Sequence, residues 1–296
     1  MNTPVNRRTF CKAIGLSVTG AAVVLGAEQR RLKAGHTGIT WGNDIQQAIQ
    51  DCGSLGFHGF ETFGQVIEAW EAKGGLGPLL EQNQLPLISA YCTFNMTDPS
   101  KRKDELDKMR RWGQLIRKYN GTVCVMGPNQ VPRDSYVFGE NKANIIASLN
   151  ETAKTLTDMG LTAALHQHTG TCVMTKDEVY GTLNAVDTRY VKFGPDVGQL
   201  QKGGNDPVQV ISDFLSLVRH VHLKDFDGGE YYLGYCPLGQ GKVNLPKVLD
   251  LLENSGNRLM IMAELDPSPN MPLTATKAAT INRDYLQKMG YTFRHT

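Results

Sequence analysis

Two histidines in the segment LHQHTG, His166 and His168, are residues whose type and spacing could do chemistry. On a β-strand, residues i and i+2 point to the same side, so this pair would present two imidazoles on one face. Imidazole binds divalent metals and exchanges protons near neutral pH, but histidine is also a frequent hydrogen-bonded structural residue. Whether the pair binds metal therefore depends on which other side chains the fold brings to the same place.

Other metal-binding side chains follow apolar runs in the same way. The segments FGPD, RHVHLKD and MAELD each end in imidazole or carboxylate groups. Together these groups suit a divalent cation such as Mn²⁺, Co²⁺, Zn²⁺ or Mg²⁺. The candidate ligands are His166 or His168, Asp196, His220 or His222, and Glu264.

Those segments belong to a regular alternation of short apolar runs and longer amphipathic ones from residue 36 onward. The apolar runs are rich in Val, Ile, Leu and aromatic residues, and several end in Gly, Pro, Asn or Asp, as buried parallel strands do. They are HTGITWG, GFHGFETFG, LPLISAYCTF, TVCVMG, LTAALHQH, RYVKFGPD, VRHVHLKD and RLMIMAELD. The helix candidates between them cover residues 43–55, 65–75, 99–119, 140–160, 175–186, 206–217, 245–255 and 273–289.

Eight strands that alternate with eight helices over about 260 residues predict an α/β fold, a single (β/α)8 TIM barrel. A doubly wound open sheet is the alternative, but no GxGxxG motif follows the first strand. In a barrel the carboxyl ends of the strands meet at one face, where active sites lie. The candidate ligands, which stand at the ends of four consecutive strands, are therefore expected to converge.

The first residues differ from the rest. Arg7 and Arg8 precede an apolar stretch from Ala13 to Ala27, which is short for a bilayer span but suits the core of a signal peptide. The arginine pair followed by Thr9, Phe10 and Lys12 resembles a twin-arginine export signal. We expect residues 1–30 to be this signal segment and residues 31–296 to be the barrel, exported to the periplasm with no membrane span in the mature form. A retained, anchored precursor stays open, because Leu25 stands where a cleavage site needs a small residue.

Composition limits the partners. The 296 residues carry a formal net charge of +2, which gives no electrostatic case for nucleic acid binding. The six cysteines are far apart and form no CxxC motif, so we expect buried thiols instead of a disulfide framework. The segment GGEYYLGYCPLG is a candidate lid, or part of a subunit interface in a homo-oligomer.

Four blocks resemble the inosose dehydratase family, which belongs to the xylose-isomerase-like TIM barrels, also grouped as sugar phosphate isomerases/epimerases. The blocks are LHQHTGTCVMTKDEV, RHVHLKD, LGQGKVNLPKVLDLL and AELDPSPNMPL, and the likeness extends over residues 36–292. It implies one divalent metal ion. The ligands that it implies are His166, Asp196, His222 and Glu264. It also implies that Lys224 and Asp225 point towards sugar hydroxyls.

The sequence departs from that family at strand six. The family usually has Asp-x-x-His there, whereas DVGQL puts Gln199 in place of the histidine. Glutamine can bind a hydroxyl but cannot shuttle a proton, which leaves the substrate open. His166 stands where the related ketohexose epimerases have a glutamate. A ligating imidazole is a poor base, so proton exchange on both faces of a sugar is disfavoured.

These residues favour removal of a proton from one face of the sugar only. A divalent cation stabilises the charge that forms when the carbon beside a ketone loses its proton. The expected acid/base residues are Glu264, His168 and His220, and Lys224 could stabilise negative charge. Substrate contacts are expected from Glu61, Trp41, Gln199, Lys224 and Asp225. Phe63 could join Trp41 as an apolar floor, although strand-end aromatics are more often packing residues.

The predicted activity is thus β-elimination or hydration of a keto-sugar, keto-glycoside or keto-inositol. A metal-dependent aldose–ketose isomerase or epimerase is the alternative within enzymes. A non-catalytic carbohydrate-binding barrel is a second alternative, which four intact candidate ligand positions disfavour. An abasic-site nuclease of the endonuclease IV family, which shares this barrel, would need a three-metal cluster and a basic DNA groove.

Overall fold

The protein is described from a computed structural model, which covers residues 29–295. The strands found in this part of the chain are β1 (Lys33–Thr37), β2 (Phe60–Phe63), β3 (Leu87–Phe94), β4 (Val123–Pro128), β5 (Thr162–Leu165), β6 (Val191–Phe193), β7 (Val221–Leu223), β8 (Asp225–Phe226), β9 (Tyr235–Cys236) and β10 (Met260–Ala263). The helices are α1 (Ile45–Ser54), α2 (Gly64–Glu71), α3 (Gly77–Gln82), α4 (Arg102–Lys118), α5 (Phe138–Asp158), α6 (Lys176–Leu183), α7 (Val197–Lys202), α8 (Pro207–Asp213), α9 (Leu245–Asn254) and α10 (Ala275–Lys288).

Eight of the strands form one parallel sheet in the order β6-β5-β4-β3-β2-β1-β10-β7. Single parallel bridges, Phe193 to Val218 and Asp196 to His222, join the two outer members and close the sheet. The predicted (β/α)8 barrel is confirmed, and the open-sheet alternative is wrong.

All eight strand segments predicted from the sequence overlap a barrel strand, although β1 begins three residues before the predicted segment, and each predicted helix is present. The sequence did not predict α3 and α7, which have only six residues each, or the antiparallel pair of β8 and β9. The β8–β9 pair lies in and before the segment proposed as a lid. Asp196 caps the amino end of helix α7, and its carboxylate accepts a hydrogen bond from the backbone N–H of Gln199.

Buried residues lie in two regions, one between the strands and the helices and one inside the barrel. Between strands and helices lies a large apolar core, with buried side chains such as Ile49, Leu149 and Leu249. Inside the barrel the apolar cluster is small: Val123, Val125 and Ala164, with Tyr91 packed against them. Buried polar side chains, among them Glu61, His220 and His222, also lie in the barrel interior and must be paired or bound to a ligand because their desolvation is costly.

Two further expectations concern single residues and segments. All five cysteines in the described residues are buried and free, as expected, whereas Cys11 lies outside this part of the chain. The twin-arginine segment likewise falls almost entirely outside the described residues. Within residues 29–295, none of the helices has the length and apolar character needed to cross a membrane.

Candidate active site

A cavity of about 70 Å³ opens at the carboxyl ends of the barrel strands. Five residues singled out in the sequence line it: Glu61, His166, His168, His222 and Glu264. Phe63 also lines the cavity, as expected for part of an apolar floor.

Three of the four predicted ligands form one buried cluster. His166 follows β5, Asp196 follows β6, and His222 lies in β7. One ligand atom from each of these residues lies within 4.8 Å of the other two, which is close enough for a common metal ion. Glu264, just after β10, adjoins this cluster, since its Oε2 lies 2.7 Å from Nδ1 of His222.

The buried nitrogen and oxygen atoms of this cluster fit a cation. Nδ1 of His166 has no hydrogen-bond partner among the described residues, although the side chain is fully buried. Asp196 Oδ2 and both ring nitrogens of His222 also lack aligned hydrogen bonds there, and their close neighbours are charged groups. Unsatisfied buried acceptors are costly unless a ligand binds them. The donor set of imidazoles and carboxylates is one that divalent metals accept.

Lys224 lies at the centre of the negative charge. Its Nζ is 2.6 Å from Glu264 Oε1 and 3.0 Å from both Asp196 Oδ2 and Asp266 Oδ2. Burial lowers the pKa of Lys224, but the three carboxylates together raise it well above its usual value. Gly198 makes room for the lysine, because a Cβ at Gly198 would lie 2.8 Å from Cγ of Lys224.

Glu264 is held as a carboxylate. Burial tends to raise its pKa, but His222 and Lys224 bring the pKa well below its usual value. For His166, burial and the neighbouring His222 lower the pKa well below its ordinary value, so this imidazole is neutral. The cavity therefore combines an ionised carboxylate with a neutral imidazole that can act as a ligand.

Glu61 connects two histidines beneath the cavity. Its Oε1 lies 2.7 Å from Nε2 of His222, and its Oε2 lies 2.9 Å from Nε2 of His220. Ser89 donates a hydrogen bond of 2.5 Å to the same Oε2. His220 lies in the barrel interior and does not line the cavity, so the structure corrects its expected role as an acid or base.

His168 and Gln199 form a second polar pair. The Nε2 of Gln199 is 2.8 Å from Nε2 of His168, and the Oε1 of Gln199 accepts a hydrogen bond from the Thr169 hydroxyl at 2.6 Å. Nδ1 of His168 is 2.8 Å from the carbonyl oxygen of Thr169. The amide thus donates to His168 and fixes the neutral tautomer with the proton on Nδ1. Gln199 is buried and does not line the cavity, so it holds His168 instead of binding the substrate as expected.

Three more substrate-binding assignments need correction. The indole of Trp41 donates to Asp51 and packs edge-on against His36, outside the cavity. Asp225 points into the loop before α9, where it accepts hydrogen bonds from the backbone N–H groups of Gly239, Gly241 and Val243. Lys224 does not line the cavity, because its ammonium is enclosed by three carboxylates.

The sequence analysis missed several lining residues. Tyr91 packs edge-on against His166, and Asp266 faces Lys224. Thr37 and Thr62 place buried hydroxyl groups at the wall, and these have no hydrogen-bond partner in the described residues. A sequence signal existed for Asp266, because it stands two residues after Glu264 in AELD. Tyr91 and the threonines lie in strands where nothing in the sequence distinguishes them from packing residues.

Comparison with known proteins agrees with this architecture. Residues 49–288 match the family model described as xylose isomerase-like TIM barrel. An inosose dehydratase from Clostridium botulinum (strain Alaska E43 / Type E3) is 26% identical over 295 residues, covering 87% of this chain and 97% of the relative.

Solved structures share the fold at lower identity. The IOLI protein with a bound zinc atom superposes with a TM-score of 0.73 at 17% identity, covering 88% of this chain and 98% of the other. The 3-keto-D-glucoside 4-epimerase from E. coli superposes with a TM-score of 0.67 at 15% identity, covering 88% and 99%. At these identities the structures establish the barrel and no more.

Proposed function

The chain belongs to the xylose isomerase-like TIM barrel family, and on that premise we propose that it is a divalent-metal-dependent sugar-processing lyase. It would remove a proton beside the ketone of a keto-sugar, keto-glycoside or keto-inositol and catalyse β-elimination or hydration. The observation that carries this proposal is the ionised Glu264 beside the closely grouped ligand atoms of His166, Asp196 and His222. The likeness to an inosose dehydratase supports the reaction class.

The residues that would hold the ion are His166, Asp196, His222 and Glu264. His166 and His222 offer ring nitrogens without aligned hydrogen bonds, and Asp196 and Glu264 offer carboxylate oxygens. A divalent cation bound there would supply stabilisation for negative charge on the ketone oxygen. The zinc atom in the related IOLI structure supports this class of ion, while its identity among Mn²⁺, Co²⁺, Zn²⁺ and Mg²⁺ stays open.

Glu264 is the proposed base. It lines the cavity and is ionised, so a free oxygen lone pair can accept the proton from the carbon next to the ketone. The electrons of the broken C–H bond form the double bond, and the β C–O bond breaks with its electrons on the leaving oxygen. That oxygen needs a proton. Glu264, which then holds the proton taken from carbon, can pass it to that oxygen, whereas His168 lines the cavity but has Nδ1 on the carbonyl oxygen of Thr169 and Nε2 on the amide of Gln199. Hydration is the same sequence in reverse.

Two features disfavour the epimerase alternative. Exchange on both faces of a sugar needs a second base besides Glu264, and the position at which the related epimerases have a glutamate holds the neutral His166. A nitrogen bound to metal has no lone pair left to accept a proton. The two other carboxylates at the cavity are already paired, Glu61 with His220 and His222, and Asp266 with Lys224.

The deciding experiment uses the full chain loaded with Mn²⁺ or Co²⁺. A panel of 3-keto-glucosides and inososes is incubated in D₂O and followed by proton NMR. We expect metal-dependent deuteration beside the ketone, together with an enone or a released aglycone. Interconverted sugars without elimination would establish the isomerase alternative, and sugar binding without turnover would establish a carbohydrate-binding barrel.

Two variants separate the roles in the site. Glu264→Gln should abolish turnover while much of the metal remains bound, because the amide cannot accept the proton. His166→Ala should lose the metal. Glu81→Gln, which changes an exposed glutamate on α3, and His58→Ala, which changes a histidine bonded to the carbonyl oxygen of Thr292, are matched controls. Wild-type turnover in Glu264→Gln, or full metal occupancy in His166→Ala, would contradict the assignments.

We also propose export through the twin-arginine route, which the arginine pair at residues 7 and 8 supports. Replacement of both arginines by lysine should keep the full chain in the cytoplasm of a bacterial host that exports the wild type. Cell fractionation measures this directly. The same distribution between cell fractions for the lysine variant and wild type would contradict the proposed signal.

A further inference from the structure

Glu61 is enclosed by polar groups from two sides of the barrel. It stands in β2, next to Ser89 of the neighbouring β3, and it reaches across the interior to His220 and His222 at β7. The side chain is 2% exposed. Both oxygens have close partners, so the carboxylate has little capacity left for a substrate hydroxyl, although it lines the cavity.

The two histidines share one buried carboxylate, because Nε2 of each ring lies within 2.9 Å of an oxygen of Glu61. Ser89 also fixes this carboxylate through a hydrogen bond to Oε2.

The two ring nitrogens of His222 face two different carboxylates. Its Nε2 faces Glu61 Oε1 at 2.7 Å, and its Nδ1 faces Glu264 Oε2 at 2.7 Å. Metal-binding histidines present the lone pair of one nitrogen to the ion, while an acceptor holds the N–H of the other. A carboxylate is the strongest such acceptor because it is charged.

We propose that Glu61 is a positioning residue that holds Nε2–H of His222 and thereby presents Nδ1 of the same ring to the divalent cation. His220 and Ser89 in turn hold the carboxylate of Glu61. This inference rests on the proposed function, because it requires a cation at the cluster of His166, Asp196 and His222. It replaces the expected role of Glu61 in binding substrate.

A competing role for Glu61 is direct coordination. One ligand atom each from Glu61, His220 and His222 lie within 4.8 Å of one another, which would suit a second ion. Two features favour positioning. Ser89 already donates to one oxygen of Glu61, and a second ion would have to share the imidazole of His222 with the first.

The test measures metal binding to the full chain without any substrate. Co²⁺ and Zn²⁺ affinities and stoichiometries come from calorimetry, and the visible spectrum of bound Co²⁺ reports its coordination geometry. For wild type we expect one ion per chain. Glu61→Gln should keep one ion but bind it about 10- to 100-fold more weakly, with altered Co²⁺ bands, because the amide is a weaker, uncharged acceptor.

Ser89→Ala provides a second variant that leaves the carboxylate in place. It should weaken metal binding less than Glu61→Gln does, because only the support of the carboxylate is removed. Glu81→Gln is the matched control and should bind like wild type. Circular dichroism checks that each variant is folded.

The outcomes are distinct. Wild-type affinity and spectrum in a folded Glu61→Gln protein would overturn the positioning role. Two ions in wild type with one lost in Glu61→Gln would make Glu61 a ligand and would also overturn it. Absence of metal binding in wild type would instead overturn the proposed function, and this inference with it.

Discussion

Lys224 shows how charge balance at a single residue shapes the candidate site. Its buried ammonium is the cation closest to Asp196, Glu264 and Asp266 in the described structure. A buried ion pair is strongly destabilised when one partner is removed, because an uncompensated charge remains. Lys224 therefore helps to lower the pKa of Glu264 and opposes the rise that burial causes in the pKa of Asp196.

Lys224→Met should destabilise the chelator-treated protein by about 3–5 kcal/mol, since three carboxylates lose their counter-charge. Added Zn²⁺ or Mn²⁺ should restore part of this loss, because the ion would neutralise Asp196 and Glu264. The measurement is the melting temperature with chelator and with metal. The melting temperature of Lys224→Met should rise more on addition of metal than that of wild type does.

The matched control is Lys202→Met, because Lys202 is a partly exposed lysine that bonds the carbonyl oxygen of Leu233. Its effect should stay below about 1 kcal/mol, which is usual for exposed polar contacts. Equal stability of chelator-treated Lys224→Met and wild type would show that the lysine does not balance this charge.

At the residue scale, the sequence predicted the ligand cluster better than its surroundings. The convergence of barrel strand ends limited the candidates to His166 or His168, Asp196, and His220 or His222, and the family resemblance then selected His166 and His222. The hydrogen-bond partners of Gln199, Asp225 and Trp41 could not be predicted, because they depend on where the loops lie in the folded chain. Strand alternation says which side a residue faces and does not say which hydrogen bond it makes.

At the element scale, the loop between β9 and α9 is built around Asp225. This carboxylate accepts N–H groups from Gly239, Gly241 and Val243. A Cβ at Gly241 would collide with the carboxylate, which explains the glycine there. The sequence analysis assigned Asp225 to sugar hydroxyls and did not connect it with this loop.

Asp225→Ala should lower stability by about 1–3 kcal/mol, because buried N–H groups lose their acceptor. Amide hydrogen exchange across residues 239–243 should accelerate, while metal affinity should be unchanged. Asp225→Asn, which keeps one acceptor oxygen, should fall between Asp225→Ala and wild type. A fall in turnover in folded Asp225→Asn, with loop exchange unchanged, would instead support the sequence-based role in substrate binding.

Whole strands and helices were predicted well, except where they are short. The long α4 and α5 carry enough amphipathic turns to be recognised, whereas α3 and α7 have six residues. Helix α7 matters most, since its start at Asp196 places a candidate ligand. Its capping pattern overlaps the ligand motif, so the sequence alone suggests either role for Asp196.

At the scale of the whole molecule, buried polar residues couple the barrel to pH. His36 in β1 is fully buried between Trp41 and Phe57. Its Nδ1 lies 2.8 Å from the carbonyl oxygen of Thr37, and its Nε2 lies 3.2 Å from the side-chain nitrogen of Asn282. The amide oxygen of Asn282 accepts from Leu238, so the amide nitrogen faces the ring. A second ring proton would meet this N–H₂ group, so the neutral form is favoured.

Burial lowers the pKa of His36 from 6.5 to about 4. Between these values the unfolded chain binds a proton that the folded chain does not, so stability rises with pH. The free energy of unfolding therefore falls by about 3 kcal/mol as the pH is lowered from about 6.5 to about 4.

Urea unfolding of wild type across about pH 4 to 7 should show this loss of stability. His36→Leu, which cannot titrate, should have a flatter profile over the same interval, and His295→Leu, a change at an exposed histidine, should follow wild type. Parallel profiles for wild type and His36→Leu would mean that the acid sensitivity of the barrel comes from other buried groups.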